Sequence, residues 1–283
     1  MAVDSADFRE AQHRNWDSAA VGWMEWSEFN DRADRHISKR LVELAGVQAG
    51  SRVLDVAAGY GEPALTAARR AGPEGRVVAT DISAEMLAFA RERAAAADLG
   101  NLEFVQADAA GLDFPPGSFD AAVSRWGIIF EPDAEAAAAR IRGFLEPGAR
   151  MAIASWGEPD QVPFLSIPMK TTRERFGISP PPSGTPGPLS RPTPAALGGL
   201  LEGGGFSDVT VEQAEVVFEF GSPEHFTAYV RAIAAPIRAL IEQHAGEARE
   251  EAWNAITQAA AEFGGGPGPL SLSNLVLLAS GTA

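Results

Sequence analysis

The stretch "VLDVAAGYGEPALTAARRAG", residues 53–72, runs from an unbroken apolar segment through glycines into an alanine-rich helical pattern. An apolar run without polar alternation suits a strand buried on both faces, and such strands belong to parallel sheets covered by helices. The pattern then repeats. Strands are expected at 52–57, 76–81, 102–107, 119–125 and 149–155, with helices at 62–71, 84–98 and 134–145 between them. This βαβ rhythm predicts an α/β fold with a Rossmann-like, mostly parallel sheet and helices on both faces.

The flanks read differently. Residues 7–29 are expected to be helical, with Trp16, Trp23 and Trp26 close together, and 32–46 form a second helix with Ile37, Leu41, Leu44 and Ala45 on one face. Residues 1–46 thus read as an N-terminal helical lid, ahead of a cofactor-binding core at 47–156. Residues 157–192 are rich in Pro and Gly, yet Phe164, Leu165, Ile167 and Met169 give them apolar surface to bury, as an ordered cover would. In 193–283 a short helix and a strand precede a helical insertion at 221–265, read as two helices, and "LSLSNLVLLASG" forms a last strand.

Charge narrows the partners. With 23 Lys and Arg against 38 Asp and Glu, the net charge is -15, so nucleic acid and anionic membranes are not expected partners. Cysteine is absent, which removes disulfides and thiolate chemistry. The four histidines show no H-x-x-x-H spacing, so no metal is expected. The first residues lack the apolar core of a signal peptide, and no run approaches the roughly 18 apolar residues of a membrane span. A cytoplasmic protein is expected, with monomer and homodimer both open.

The glycine loop carries the chemistry. Gly59-Tyr60-Gly61-Glu62-Pro63-Ala64 spells G-x-G-x-x-A, in which glycines let backbone N–H groups and a helix N-terminus approach a ligand. Asp81 ends the next strand about 20 positions on, where a carboxylate accepts from ribose hydroxyls. NAD and S-adenosylmethionine both carry that ribose. Asp55 is awkward in a buried NAD-type strand but useful beside a cationic amino group. Asp108 ends the third strand, where it can accept from an adenine amino group.

Together with "SFDAAVSRW" and "FLEPGARMAIASW", these residues resemble the class I S-adenosylmethionine-dependent methyltransferases over about residues 50–156. "NWDSAAVGWMEW" and "SRWGIIFEPD" are distantly similar to the quinone C-methyltransferases. The resemblance implies seven strands with an antiparallel last strand, and S-adenosylmethionine as cofactor, leaving as S-adenosylhomocysteine. It implies cofactor contacts at Trp16, Trp23, Asp55, Ala57, Gly59, Gly61, Asp81, Ile82, Met86, Asp108, Ala109 and Arg125. Substrate contacts would fall at Trp126, Ile129, Phe164 and Tyr229. Two positions depart from the pattern. Ala57 replaces a glycine, which costs little if its φ stays negative, and Ile129 replaces a functional Arg of the quinone group.

Methyl transfer depends mainly on alignment and desolvation, and needs a base only if the acceptor keeps its proton. His13 and His225 are the candidate bases. Arg125 ends the fourth strand, where it would either pair with a surface carboxylate or hold an anionic substrate group. The expected function is methyl transfer to a small, partly apolar molecule, with acceptor atoms ranked oxygen, carbon, nitrogen. The N-terminal helix, 157–192 and 221–265 would build its pocket. The alternatives are a non-methylating, cyclase-like enzyme and a catalytically silent binding protein.

Overall fold

Val53, Leu54 and Val56 lie in β1 (Arg52–Val56), an interior strand of the sheet, and all three are buried. A computed structural model describes residues 5–182 and 184–283. Around β1 stand β2 (Arg76–Asp81), β3 (Leu102–Gln106), β4 (Phe119–Arg125), β5 (Leu145–Trp156), β6 (Ser207–Phe220) and β7 (Leu270–Thr282). Their order is β3-β2-β1-β4-β5-β7-β6. The first five strands pair in parallel, and β7 runs antiparallel to both neighbours. The expected fold class is therefore the observed one. The chain reverses direction across the sheet at β1, so the loops after β1 and β4 diverge and leave a crevice at the strands' carboxyl ends.

Two apolar layers sandwich the sheet. One is built from α2 (Ser27–Leu44), α3 (Ala64–Ala71) and α6 (Pro163–Phe176), with α8 (Pro223–Ile233), α9 (Ala235–His244) and α10 (Arg249–Gly264). The other is built from α5 (Ala134–Phe144) and α7 (Pro194–Gly203). The helix α4 (Ala84–Ala96) covers β2 and β3.

Four expected readings change. The helix read as 7–29 ends earlier, as α1 (Ser5–Glu25), and α2 begins at Ser27, not at residue 32. The break falls at Trp26, whose ring packs with Phe29, His225 and Tyr229 while the chain turns to lay Ile37 and Leu41 on the sheet. The insertion read as two helices contains three, because Pro236 starts α9 where the run from α8 ends. The strand read as 149–155 extends back to Leu145.

The helix α1 is packed as well as peripheral. Ala19 and Ala20 are buried, and a Cβ on Gly22 would stand 2.2 Å from the Ala232 carbonyl oxygen. Only glycine lets α1 cross α8 this closely. Of the expected lid at 1–46, residues 1–4 lie outside the described residues, and in the rest α2 belongs to the main core.

Candidate active site

The crevice is walled by the loops after β1, β2, β3 and β4 and roofed by α1. At the end of β1 the backbone turns sharply. Ala57 has φ +59, Gly59 +54 and Gly61 +117, so the expectation of a negative φ at Ala57 is corrected. A left-handed alanine costs about 1–2 kcal/mol. Its methyl meets Gly127, where an added Cβ would lie 2.3 Å from the Ala57 Cβ and 3.1 Å from the Val56 oxygen. Gly127→Ala should therefore lower stability by about 1–3 kcal/mol, as overpacking does. Ala57→Gly should recover part of that loss; urea unfolding of the single and double variants checks both.

Asp81 closes β2. It accepts from the backbone N–H of Gly59 at 2.8 Å and of Ser83 at 2.9 Å, so one carboxylate ties the glycine loop to the start of α4. Burial pushes its carboxyl up to about 6, against those hydrogen bonds. Ile82 and Met86 continue this wall, and Asp108 and Ala109 follow from the end of β3. Asp108 accepts from the Gly111 N–H, and Arg9 Nε lies 3.7 Å from it and 3.9 Å from Glu131.

At the end of β4, Arg125 and Trp126 both face the crevice. Arg125 does not reach a surface carboxylate or stand free for a substrate. Its Nη1 donates to Asp34 at 2.7 Å and to Ser38 at 3.1 Å, and Nη2 reaches the Tyr60 hydroxyl at 3.4 Å. Asp34 is buried, and burial pushes its carboxyl up to about 6 despite the arginine. Trp16 and Trp23 form the roof. Trp23 stacks on Tyr60 at 5.9 Å, and Trp16 meets Phe130 edge-on at 5.4 Å.

Other expected site residues lie elsewhere. Asp55 is fully buried in β1, its carboxyl oxygens have no hydrogen-bond partner, and it is not on the crevice wall. Burial holds its carboxyl well above the usual range. Gly61 turns under Leu65, behind the loop. Ile129 is core beneath β4's exit, Phe164 packs on Trp156 and Phe218, and the Tyr229 hydroxyl donates to Asn30. His13 pairs with Asp17 at 3.1 Å, and the His225 ring packs on Trp26; neither lines the crevice. Among the described residues none from 157–192 or 221–265 lines this crevice, where the expectation had put acceptor walls. Those segments have large apolar side chains because they cover the sheet.

Sequence reading passed over Phe8, Arg9, Gln12, Tyr60, Glu62, Phe130 and Glu131, which all line the crevice. Tyr60 and Glu62 stand inside the glycine motif itself, and Glu131 follows directly from the β4 motif. Arg9 and Gln12 precede Trp16 by about two and one helical turns, which is a usable signal. Among the described residues no group of three or more His, Cys, Asp or Glu side chains is placed to hold a metal, and no helix is long and apolar enough to cross a membrane.

Residues 53–148 match the family model described as a methyltransferase domain. Over those residues the chain is similar to that domain. The chain is 40% identical over 119 residues to the ubiquinone/menaquinone biosynthesis C-methyltransferase UbiE of Pseudomonas putida, a span of 42% of this chain and 46% of that protein. The chain thus spans about half the length of the curated relatives it matches. The fold is similar to the [4+2]-cyclase SpnF, with a TM-score of 0.54 and 19% identity over 87% of this chain and 80% of that one. It is also similar to the phosphoethanolamine N-methyltransferase 2 of Haemonchus contortus, solved with phosphomonomethylethanolamine and S-adenosylhomocysteine. That TM-score is 0.52, with 21% identity over 87% of this chain and 52% of the other. At these identities the chain shares a fold with both, and nothing finer follows from them.

Proposed function

We propose that the crevice binds S-adenosylmethionine and that the protein transfers its methyl group to a small, partly apolar molecule. One observation carries the reading: three polar stations follow the sheet order, with Asp108 over β3, Asp81 over β2, and the Gly59 loop with the β4 exit over β1 and β4. Adenine, ribose and an amino-acid tail, in that sequence, suit this row. Trp16 and Trp23 roof it.

When bound, the cofactor supplies an electrophilic methyl on a cationic sulfur. The chain's own contribution is alignment and the exclusion of water by Trp16, Trp23 and Phe130. No imidazole, amine or thiol lines the crevice among the described residues. A proton leaving the acceptor would have to reach a carboxylate, and Glu131, raised by burial and by neighbouring Asp108, suits that role. Carbon is now as well supported as oxygen for the methylated atom, since the Pseudomonas relative is by name a C-methyltransferase.

Calorimetry with S-adenosylhomocysteine tests the reading. One ligand should bind per chain near neutral pH, and affinity should fall as pH drops through about 6 and Asp81 takes up a proton. Stability should move the other way. A carboxyl whose folded pKa lies above its unfolded value binds more protons when folded, so this group's contribution to stability grows as pH falls from about 6 towards 4. Absence of binding at neutral pH would refute the proposed function.

A further inference from the structure

A second groove, of about 540 Å³, shares no lining residue with the crevice. Arg35 and Lys39 line it from α2, and Thr66, Arg69 and Arg70 from α3. Among the described residues, no acidic and no apolar side chain lines it. Four cations therefore share one concavity on a chain of net charge -15. The core does not need them there, since all four are exposed. Arg35 and Lys39 stand one turn apart on α2, where like charges cost stability. Their counter-charges are partial. Arg35 Nη2 lies 3.3 Å from Asp31, and Arg69 Nη1 lies 3.7 Å from Glu62. Both carboxylates are buried and already serve another donor, Arg93 for Asp31 and the Thr66 hydroxyl for Glu62. The Arg35 and Arg69 side chains stay 56% and 51% exposed, so about half of each still faces solvent. Arg70 Nε donates to the neutral Val47 carbonyl at 3.2 Å, which steadies its guanidinium without cancelling its charge.

We propose that this groove binds a compact diphosphate group, either free or at the end of a small molecule. The lining excludes an apolar ligand and leaves charge as the means of holding one. Three guanidinium groups supply paired N–H donors that fit phosphate oxygens, and Lys39 adds a point charge. One phosphate group carries about two negative charges, so four cations match two such groups. Size selects the partner as well. At physiological salt a charge is felt over about 8 Å. A compact anion in the groove therefore meets its four cations and little else. A nucleic acid strand or an anionic bilayer extends beyond the groove and meets the acidic remainder of the chain. The proposal does not depend on the methyl-donor reading, because the two sites have separate linings.

The test is calorimetry on the full chain with inorganic pyrophosphate in metal-free buffer. One pyrophosphate should bind per chain, more weakly as salt rises. Lys39→Gln and Arg35→Gln should each weaken it about tenfold, as for a hydrogen bond to a charged group. Lys170→Gln makes the same charge change on an exposed side chain outside the groove and should leave the affinity at the wild-type value. If Arg35→Gln melts abnormally because Asp31 has lost a partner, Lys39→Gln alone decides, since Lys39 is exposed. Methyl diphosphate separates the two sources: tighter binding than pyrophosphate assigns the groove to a diphosphate-bearing small molecule, and weaker binding to the free anion. No pyrophosphate binding overturns the proposal. So does an equal loss in Lys39→Gln and Lys170→Gln, which would mean a diffuse charge effect. Binding of single-stranded DNA or phosphatidylserine vesicles that Lys39→Gln abolishes, with pyrophosphate unable to compete, also overturns it in favour of a polymer or membrane surface.

Discussion

Arg125→Ala is expected to destabilise the fold by about 3–5 kcal/mol, the usual cost of stranding one member of a buried ion pair. Arg125 and Asp34 have side chains only 4% and 5% exposed and meet at 2.7 Å. The pair joins the end of β4 to α2, and Ser38 and Tyr60 complete its hydrogen bonds. Without the guanidinium, Asp34 is a buried carboxylate with Asp31 and Glu62 as its charged neighbours. It would then take up a proton at a higher pH than it does beside the arginine. The variant's deficit should accordingly shrink as pH falls from 8 to about 5, because protonation removes the stranded charge. Urea unfolding at the two pH values measures this. A double variant, Arg125→Met with Asp34→Leu, should recover much of the stability, since apolar replacements often match a buried pair. A loss under about 1 kcal/mol in Arg125→Ala would mean that the pair does not hold α2 to the sheet.

Asp81→Ala should weaken S-adenosylhomocysteine binding by about a hundredfold or more. Two ribose hydroxyls would each lose a bond to a charged acceptor, worth about 1.5–3 kcal/mol apiece, with incomplete additivity. The same carboxylate also holds the Gly59 and Ser83 N–H groups. Its removal therefore loosens the loop as well as the ligand. Asp81→Asn separates the two effects. It keeps one acceptor oxygen but turns an amide NH2 towards an N–H, so it should lie between wild type and alanine in affinity. Calorimetry on all three proteins decides the matter, and equal affinity for wild type and a folded Asp81→Ala would remove this residue from the site.

Much of the fold was legible because it depends on local pattern. Continuous apolar runs such as Val53–Val56, glycine breaks and amphipathic helices each act over a few residues, and the sheet follows from their alternation. Two helix starts rest on equally local chemistry: Ser83 accepts from Met86 N–H and Thr193 from Ala196 N–H. The wall positions from Ala57 to Asp108 follow strand ends, which the same pattern locates. What failed was long-range. Asp34 looks like any polar residue on a helix, and its partner stands 91 positions away. Tyr229, Phe164 and Ile129 have the composition of pocket residues, yet aromatic and aliphatic side chains serve a core equally well. Only the direction in which a helix docks separates the two uses. Trp26 shows this within one segment, since Trp16 and Trp23 roof the crevice while Trp26, three residues further, turns into the core.

A crystal structure of the protein with S-adenosylhomocysteine tests the central claim most directly. The account predicts the ligand in the crevice beneath α1, with its ribose hydroxyls on Asp81, its adenine beside Asp108 and Ala109, and its amino-acid end between the Gly59 loop and Trp126. A ligand bound elsewhere, or lying in the crevice with the adenine at the β4 end and Asp81 untouched, would contradict it.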